Sequence, residues 1–346
     1  MKILIAKRQD NNDVFDTFFT EKSLNEIKKL GEVYYNEFDH EFTREELREA
    51  LYDIDVVFTG WGVQCFDEYV LEKANKLKVI AHTGGSASAI VSDELAKRNI
   101  LLLSGNRLYA ESVAEGTICY ILLAQRHLHE YIEETRDLGW MQTYRHASSL
   151  KRKTVGIIGF GMIAKNVVRI LKSFDCKVKI YSSYLTDEEA KTYNENAQVS
   201  TLDDIFATCD IISVHSGLND KNYHLIDKKY LSLMKDNSLI VNTARGAVIN
   251  EEDLIEELKT GRIRAILDVY EVEPLPMDSG LRGLNNVILV PHKGGPTTDV
   301  REIVTIELCE DIKAFLEDGL RPKHEITLEY AKRMTNHSLA EKNFKK

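Results

Sequence analysis

A glycine-rich stretch is the first segment whose residue types and spacing point to chemistry. Gly159, Gly161 and Ala164 fit the pattern GxGxxG with alanine at the third position, between an apolar run at 154–158 and a segment with helical spacing. Gly159 allows a tight turn, Gly161 lets the backbone approach a pyrophosphate, and Ala164 keeps the helix close to the strand. Because a helix N-terminus attracts phosphate groups, the segment predicts a dinucleotide cofactor site.

The residue after the next predicted strand bears on the choice of cofactor. Dinucleotide sites that prefer NAD carry an acid about 20 residues beyond the glycines, where it binds the ribose hydroxyls. This chain has Ser182 there, which can hydrogen-bond a ribose hydroxyl and does not repel a 2′-phosphate. No Arg or Lys follows within the next few residues to attract that phosphate. The sequence therefore predicts NAD or NADP and leaves the preference open.

Metal and disulfide chemistry are not indicated. His127 and His129 resemble a metal pair, but residues two apart on a helix point in different directions. We find no other ligand set at metal spacing and expect no metal. The cysteines are odd in number and widely spaced, without a CxxC motif, which is typical of a reducing cytoplasm. They are Cys65, Cys119, Cys176, Cys209 and Cys309.

Length and charge limit the classes of protein that remain. A chain of 346 residues exceeds what one hydrophobic core usually organises, so two domains of about 150–200 residues are expected. The net charge of −10 repels phosphate backbones, so we expect no nucleic-acid partner. No apolar run approaches the roughly 18–20 residues of a membrane helix, and the first residues lack a signal-peptide pattern. We therefore expect a cytoplasmic protein without a membrane partner.

Two series of alternating strand and helix patterns must position these residues. The first predicts strands at 2–6, 56–58, 78–81 and 100–103, and helices around 23–30, 43–51, 67–76 and 92–98. The second predicts strands at 154–159, 177–181, 210–215, 238–242, 265–269 and 286–290. Such alternation favours an α/β fold with parallel sheets that are covered on both faces.

Other segments are distinguished by their length or charge. Long helices are predicted at about 111–129 and 297–316, whereas 136–153 is predicted to be an arm or linker that exposes Trp140. Asn250 precedes three acids and should cap a helix, since negative charge complements the helix dipole. The basic tail 321–346 is most simply a solvated terminus.

Several phrases, taken together with the glycine motif, resemble one known family. They are VNTARGAVINEEDL (241–254), ILDVYEVEPLP (266–276), NVILVPHKGGPT (286–297), AESVAEGTICYILLAQR (110–126) and FTGWG (58–62). In this order they are similar to the D-isomer-specific 2-hydroxyacid dehydrogenases, over roughly residues 50 to 320.

The resemblance implies a catalytic set, and the chemistry asks for the same residue types. Reduction of a 2-oxo acid needs a hydride, a proton for the carbonyl oxygen and a cation for the carboxylate. By resemblance Arg245 supplies the cation, whose planar fork suits a carboxylate. His292 is the acid and base, since imidazole titrates near neutral pH. Glu273 orients that imidazole and stabilises its protonated form, and Asp268 contacts the nicotinamide carboxamide.

The resemblance also implies binding residues. For the substrate it indicates the turn Gly84-Gly85-Ser86, where glycine allows close approach by a ligand, although SASAIV at 86–91 departs from the usual family phrase. Trp61 and Tyr109 either line the substrate pocket or pack between the domains. For the cofactor it indicates Met162, Ile163, Ser216, Gly217, Asn222, Thr243 and Ala244.

The implied architecture is two Rossmann-like, doubly wound domains with an active-site cleft between them. The substrate domain is discontinuous, 1–105 and 297–346, and the dinucleotide-binding domain is 106–296. The family also implies a homodimer through helix 111–129 and the arm near Trp140. The expected reaction is reversible reduction of a 2-oxo acid to a D-2-hydroxy acid with NADH or NADPH, with the substrate left open. The alternatives are a catalytically weak protein of the same fold that senses NAD(H), and a structural protein with an emptied site.

Overall fold

A computed structural model of the chain describes residues 1–9 and 14–334. Backbone contacts divide these residues into two units. Unit 1 contains residues 1–9, 14–110 and 296–334, and unit 2 contains residues 111–295. The chain therefore leaves unit 1, forms unit 2 and returns to complete unit 1.

Strands and helices alternate along most of both units. Up to residue 125 they are β1 (Lys2–Arg8), α1 (Val14–Phe18), α2 (Glu21–Leu30), β2 (Glu32–Asn36), α3 (Arg44–Ala50), β3 (Val56–Thr59), β4 (Val79–His82), α4 (Glu94–Lys97), β5 (Leu101–Ser104) and α5 (Asn106–Gln125). Unit 2 continues with α6 (Leu128–Leu138), β6 (Thr154–Ile158), α7 (Met162–Leu171), β7 (Lys177–Tyr181), α8 (Asp187–Tyr193), β8 (Ala197–Val199), α9 (Leu202–Thr208), β9 (Ile211–Val214), α10 (Lys228–Leu233), β10 (Leu239–Asn242), α11 (Glu251–Lys259), β11 (Arg264–Leu267) and β12 (Val287–Leu289). Unit 1 ends with α12 (Thr298–Asp318) and α13 (Leu328–Arg333).

Unit 1 contains a parallel sheet with the strand order β2-β1-β3-β4-β5. Every residue of β3 and β4 is buried, as expected for strands covered on both faces. The strand order reverses between β1 and β3, because β2 is added on one side of β1 and the later strands on the other. Ligands of such folds bind at the carboxyl ends of the strands beside that point.

Unit 2 contains a larger parallel sheet with the order β12-β11-β10-β9-β6-β7-β8. The order reverses between β6 and β9, which pair in the register Ile158↔Val214. Both sheets are thus doubly wound, and the prediction of two Rossmann-like α/β domains is confirmed.

Alternate residues of β10 fix this strand in the core of unit 2. Ile240 packs with Phe206 of α9 on one face, whereas Leu239 and Val241 pack with Val167 of α7 on the other. Full burial of each such side chain stabilises the folded state by about 1.5–3 kcal/mol relative to leaving it exposed. The loop that leaves β10 therefore starts from a rigid anchor.

The structure corrects several predicted elements. The helix predicted at 67–76 is absent, because hydrogen bonds such as Glu72 N to Tyr69 O and Ala74 N to Leu71 O are those of successive turns. The predicted helix 111–129 is wrong in its bounds. It runs from Asn106 to Gln125, and α6 begins only after His127, whose φ of +53° ends the first helix.

The end of unit 1 also differs from expectation. Residues 324–326 lie along β5, where Ser104 N donates to His324 O and Ile326 N donates to Leu102 O. The part of the predicted solvated tail up to Met334 is thus paired and partly buried, and the rest of the predicted tail 321–346 lies outside the described residues. Within the described residues, no helix combines the length and apolar character required to cross a membrane.

Candidate active site

The glycine-rich turn joins β6 to α7 at the point where the strand order of unit 2 reverses. Gly159 has a φ of +91°, and a Cβ there would lie 3.0 Å from the backbone of Ser216. Ala164 is completely buried against the core. Gly159 therefore meets both a conformational and a steric requirement for glycine, and Ala164 holds the helix close, as predicted.

Gly161 gives a test of whether a dinucleotide fits here. A Cβ on Gly161 would meet no protein atom within 4 Å, so packing alone does not require glycine. No side chain caps α7, which begins at Met162 with Ile163 next. The first amides of a helix need partners from outside it, and the space above Gly161 lies where a phosphate group could supply them. The residues present fit a pyrophosphate.

The loop after β9 is fixed by its own amide side chain. Asn222 Nδ2 donates to Ser216 Oγ at 2.9 Å and also to Gly217 O. Asn222 Oδ1 accepts from Asn219 N at 2.7 Å. The three residues predicted to contact the cofactor, Ser216, Gly217 and Asn222, therefore lie together.

His215 lies between β9 and this loop. Its Nε2 is 2.8 Å from Ser213 Oγ, and burial lowers the pKa of His215 to about 4. The imidazole is therefore neutral at neutral pH. His215 was not among the site residues predicted from the sequence.

Ser182 follows β7, as predicted. Its Oγ accepts from Tyr184 N at 3.5 Å, and the Tyr184 hydroxyl donates to Phe160 O. The segment 182–184 is thus tied to the glycine-rich turn through Tyr184. It offers hydroxyl groups and no carboxylate.

Arg245 lies in a tight turn three residues after β10. Asn242 spans the turn, since its Nδ2 donates to Arg245 O at 2.9 Å and its Oδ1 accepts from Ala244 N at 3.0 Å. Arg245 Nη1 donates to Ala244 O at 2.6 Å. Thr243 Oγ1 lies 3.0 Å from Thr117 Oγ1 of α5. Thr243, Ala244 and Arg245 are therefore presented by one fixed turn.

Burial lowers the pKa of Arg245, and the charge of Glu273 acts in the opposite direction. A short 3-10 helix, Gly246–Val248, follows. A Cβ on Gly246 would overlap the carbonyl of Tyr270. Glycine at 246 therefore lets the segment after β11 pack directly against the turn that carries Arg245.

Glu273 and His292 form a direct pair. His292 Nδ1 lies 2.7 Å from Glu273 Oε2, and Glu273 Oε1 accepts from Tyr270 N at 3.0 Å. Burial alone would raise the pKa of Glu273, but the hydrogen bond and charge of His292, the Tyr270 amide and the charge of Arg245 together lower it. Glu273 is thus a carboxylate at neutral pH, and it fixes His292 through Nδ1.

Asp268 organises the loop that carries His292. Its Oδ1 accepts from Lys293 N at 2.6 Å and from the Tyr120 hydroxyl at 3.3 Å, and its Oδ2 accepts from Gly294 N at 2.8 Å. Burial raises the pKa of Asp268, although these amides and the charge of His292 oppose it. Both carboxylate oxygens are thus engaged within unit 2, which is a positioning role that the sequence analysis did not foresee.

The remaining predicted residues belong to unit 1. The turn Gly84-Gly85-Ser86 follows β4, and Ser104 Oγ donates to Gly84 O and Gly85 O at 3.2 and 3.1 Å. Ser86 Oγ lies 3.2 Å from Ser88 Oγ. The amides of residues 84–86 donate no hydrogen bond to another described residue. With both carbonyls held by Ser104, the turn presents three consecutive amides that have no partner among residues 1–9 and 14–334.

Close packing also shapes this turn. A Cβ on Gly84 would overlap the ring of His82, and one on Gly85 would lie 3.0 Å from the ring of Tyr109. Tyr109 packs edge-to-face with Trp61 at 6.2 Å between ring centroids. Tyr109 is buried and Trp61 is exposed, and both lie in unit 1.

The structure brings Arg245, Asp268, Glu273 and His292 to one edge of the unit 2 sheet, at the carboxyl ends of β10, β11 and β12. Sequence reasoning missed Tyr120, Asn242, Gly246 and Tyr270, which fix them. Asn242 and Gly246 lie inside a phrase that the sequence analysis quoted, and their contacts could not be inferred from it. Among the described residues, no three His, Cys, Asp or Glu side chains converge as metal ligands, and all five cysteines are free thiols.

Comparisons with known proteins identify the family. The model of the "D-isomer specific 2-hydroxyacid dehydrogenase, NAD binding domain" matches residues 118–294. The D-3-phosphoglycerate dehydrogenase of Methanocaldococcus jannaschii is 36% identical over 298 residues, which cover 85% of this chain and 56% of that protein. The glyoxylate reductase of Thermofilum pendens is 32% identical over 308 residues, 87% of this chain and 90% of that protein.

A solved structure agrees with these matches. The acyclic imino acid reductase Bsp5, in complex with NADPH and D-Arg, superposes with a TM-score of 0.74 at 26% identity and covers 94% of this chain and all of that one. The chain spans little more than half of the phosphoglycerate dehydrogenase and most of the glyoxylate reductase. It belongs to the D-isomer-specific 2-hydroxyacid dehydrogenase family, as the sequence motifs indicated.

Proposed function

We propose that the chain catalyses the reversible reduction of a 2-oxo acid to a D-2-hydroxy acid with NADH or NADPH. The observation that carries the proposal is the His292–Glu273 pair. Glu273 occupies Nδ1 of the imidazole, and Nε2 makes no hydrogen bond or ion pair with another described residue. With His292 51% exposed, Nε2 is accessible to a bound ligand.

The proton and charge of the reaction are assigned to residues of unit 2. When bound, the reduced cofactor supplies a hydride to the carbonyl carbon. His292 Nε2 gives its proton to the carbonyl oxygen, so the carbonyl becomes a hydroxyl, and takes it back in the reverse direction. Glu273 stabilises the imidazolium, and Arg245 binds the carboxylate and polarises the carbonyl.

Cofactor binding is assigned to the turn between β6 and α7 and its neighbours. Gly159, Gly161 and the amides of Met162 and Ile163 would hold the pyrophosphate. Ser182, Ser216, Gly217 and Asn222 would lie along the adenosine and ribose, and Thr243, Ala244 and Asp268 along the nicotinamide. The hydroxyl groups at 182–184 accommodate NAD and NADP alike, so the preference is left to measurement.

For the substrate, the free amides of Gly84, Gly85 and Ser86 support an anion-binding role in unit 1. Consecutive amides that point to one side form a concave anion site. A carboxylate is the anion that every 2-oxo acid carries. We assign this turn to the substrate carboxylate.

We further propose a cytoplasmic homodimer. Exposed apolar side chains on and after α6 support it, since soluble proteins seldom leave such groups together without a partner. They are Leu128, Ile132, Leu138, Trp140 and Met141. The proposed dimer surface includes α5 within 111–125 and the arm near Trp140, and sedimentation of the purified chain tests it.

A substrate panel tests the activity. The purified chain is titrated with NADH and NADPH, and oxidation of each is followed with glyoxylate, hydroxypyruvate, pyruvate, bulkier 2-oxo acids and phosphorylated acids. The proposal expects turnover with at least one acid and formation of the D-hydroxy product. Cofactor binding without turnover across the panel would favour a sensing protein, and absence of binding would favour a structural one.

A further inference from the structure

Glu271 connects three segments of unit 2, two of which carry site residues. Its Oε1 lies 2.7 Å from His224 Nε2, in the loop after β9. The same Oε1 accepts from Glu251 N at 2.9 Å, at the start of α11. In return, Glu271 N donates to Glu251 Oε2 at 3.1 Å. One carboxylate thus joins the segments around residues 224, 251 and 271.

Two of these segments, those of His224 and Glu271, lead directly to residues of the proposed site. The loop of His224 carries Asn222, two residues earlier. His224 N also donates to Ala247 O at 2.9 Å, in the short helix that follows Arg245. Glu271 itself lies two residues before Glu273, which holds His292.

The contacts around Glu271 are close and poorly replaceable. Gly246 packs directly on the Tyr270–Glu271 peptide, where a Cβ would overlap the backbone. Glu251 and Glu271 place two carboxylates side by side, and His224 is the basic side chain in contact with them among the described residues. Burial and the charge of Glu271 raise the pKa of Glu251. Such an arrangement persists only when the surrounding segments hold it.

We propose that Glu271 is a positioning residue. Through His224 and Glu251, it holds the Arg245 turn and Glu273 in fixed positions relative to each other. This inference rests on the proposed function. In it, Glu271 supports the reaction by holding other residues in place and does not itself bind substrate or cofactor. Displacement of a reacting group by about 1 Å can reduce a rate by a factor of about 100. Loss of the Glu271 carboxylate is therefore expected to reduce kcat more than binding.

The test compares Glu271→Ala and Glu271→Gln with two controls in the same unit. Glu252→Ala removes a neighbouring exposed carboxylate that makes no hydrogen bond or ion pair with another described residue. Thr201→Ala removes the cap of α9, where Thr201 Oγ1 accepts from Asp204 N, and typically costs about 1 kcal/mol. For each variant kcat and KM are measured with the best 2-oxo acid, NADH affinity by fluorescence, and Tm.

Glu271→Ala is expected to lower kcat by about 10- to 100-fold, with KM and NADH affinity within about threefold of the wild type. Glu271→Gln retains an acceptor for Glu251 N and is expected to recover part of kcat. Both controls are expected to keep kcat. If Glu271→Ala does not fold, His224→Ala breaks the contact from the other side and is expected to show the same selective loss.

Two results would overturn the inference. One is wild-type kcat in Glu271→Ala or in His224→Ala. The other is an equal loss of kcat in Thr201→Ala, because the effect would then follow stability alone. These results are distinct from failure of the proposed function, which would appear as absence of turnover by the wild type across the whole panel and would remove this inference with it.

Discussion

Two histidine–carboxylate pairs in this molecule share a geometry and differ in their surroundings. In unit 1, His324 Nδ1 lies 2.8 Å from Asp311 Oδ2, and the two side chains are 2% and 4% exposed. In unit 2, His292 Nδ1 lies 2.7 Å from Glu273 Oε2, and they are 51% and 32% exposed. Distance alone therefore does not separate the two pairs.

The difference lies in what the second ring nitrogen meets. His324 Nε2 lies 3.2 Å from Glu307 Oε2, so the ring is enclosed by carboxylates. Asp311 also accepts from the amides of Lys323 and His324, which ties the chain after α12 to that helix. The buried pair is suited to holding a segment, and the exposed pair is suited to exchanging a proton with a ligand.

The largest effect is expected at the exposed pair. His292→Ala should lower kcat by about 100- to 10,000-fold, because the proton donor is removed. Cofactor affinity and Tm should be retained, since the ring is half exposed. Steady-state kinetics, NADH fluorescence and thermal unfolding check this, and turnover like that of the wild type would remove His292 from the mechanism.

The buried pair should respond in the opposite way. Asp311→Ala leaves His324 beside one carboxylate and frees two backbone amides, so the free energy of unfolding should fall by about 3–5 kcal/mol. The kcat of the folded fraction should change little. Urea unfolding measures the loss, with Asp318→Ala, an exposed residue of the same helix, as the control. Equal stability of the two variants would contradict a structural role.

Sequence patterns predicted the central strands of both sheets and one edge strand of each, β5 and β12, and missed the other two edge strands, β2 and β8. Central strands such as β3 and β10 are almost entirely apolar runs. They can be recognised as strands because helical segments alternate with them. β2 alternates in burial and carries Glu32 and Asn36, and β8 has only three residues. β2 and β8 bury one face or little at all, so their composition resembles that of loops, whereas β5 and β12 are apolar runs.

The same limit applies to the candidate site. Arg245, Glu273 and His292 lie in phrases whose order is specific, and the sequence analysis selected them. Asn242 and Glu271 are ordinary polar residues whose partners depend on how separate loops pack. Asp311 and His324 were missed for the same reason, since one lies on a helix and the other in a basic tail. Chemistry-bearing residues are thus predictable from motifs, and the residues that position them require the fold.

A smaller catalytic effect is expected from Glu273→Gln. The amide can still accept from His292 Nδ1, but it no longer stabilises the protonated ring by charge, so kcat should fall by about 10- to 100-fold, less than in His292→Ala. The two effects should not add in the double variant, because both act through one imidazole. Kinetics of the four proteins in parallel provide the test, and additive losses would mean that Glu273 acts independently of His292.

The smallest expected effect is on the decrease of unfolding free energy at low pH. It should differ between the His324–Asp311 pair and the His292–Glu273 pair. The amides and His324 outweigh burial and lower the pKa of Asp311 from its ordinary 3.8, as His292 and its neighbours lower that of Glu273 from 4.5. A carboxylate with a lowered folded pKa stabilises the protein above its ordinary pKa, and this contribution is lost as the pH falls through the folded value. Asp311→Asn should therefore flatten the decline in unfolding free energy between about pH 5 and pH 2, measured by urea titration. Glu273→Gln should flatten it less, because solvent screens a half-exposed pair. A larger flattening in Glu273→Gln than in Asp311→Asn would mean that the exposed pair, rather than the buried one, stabilises its unit.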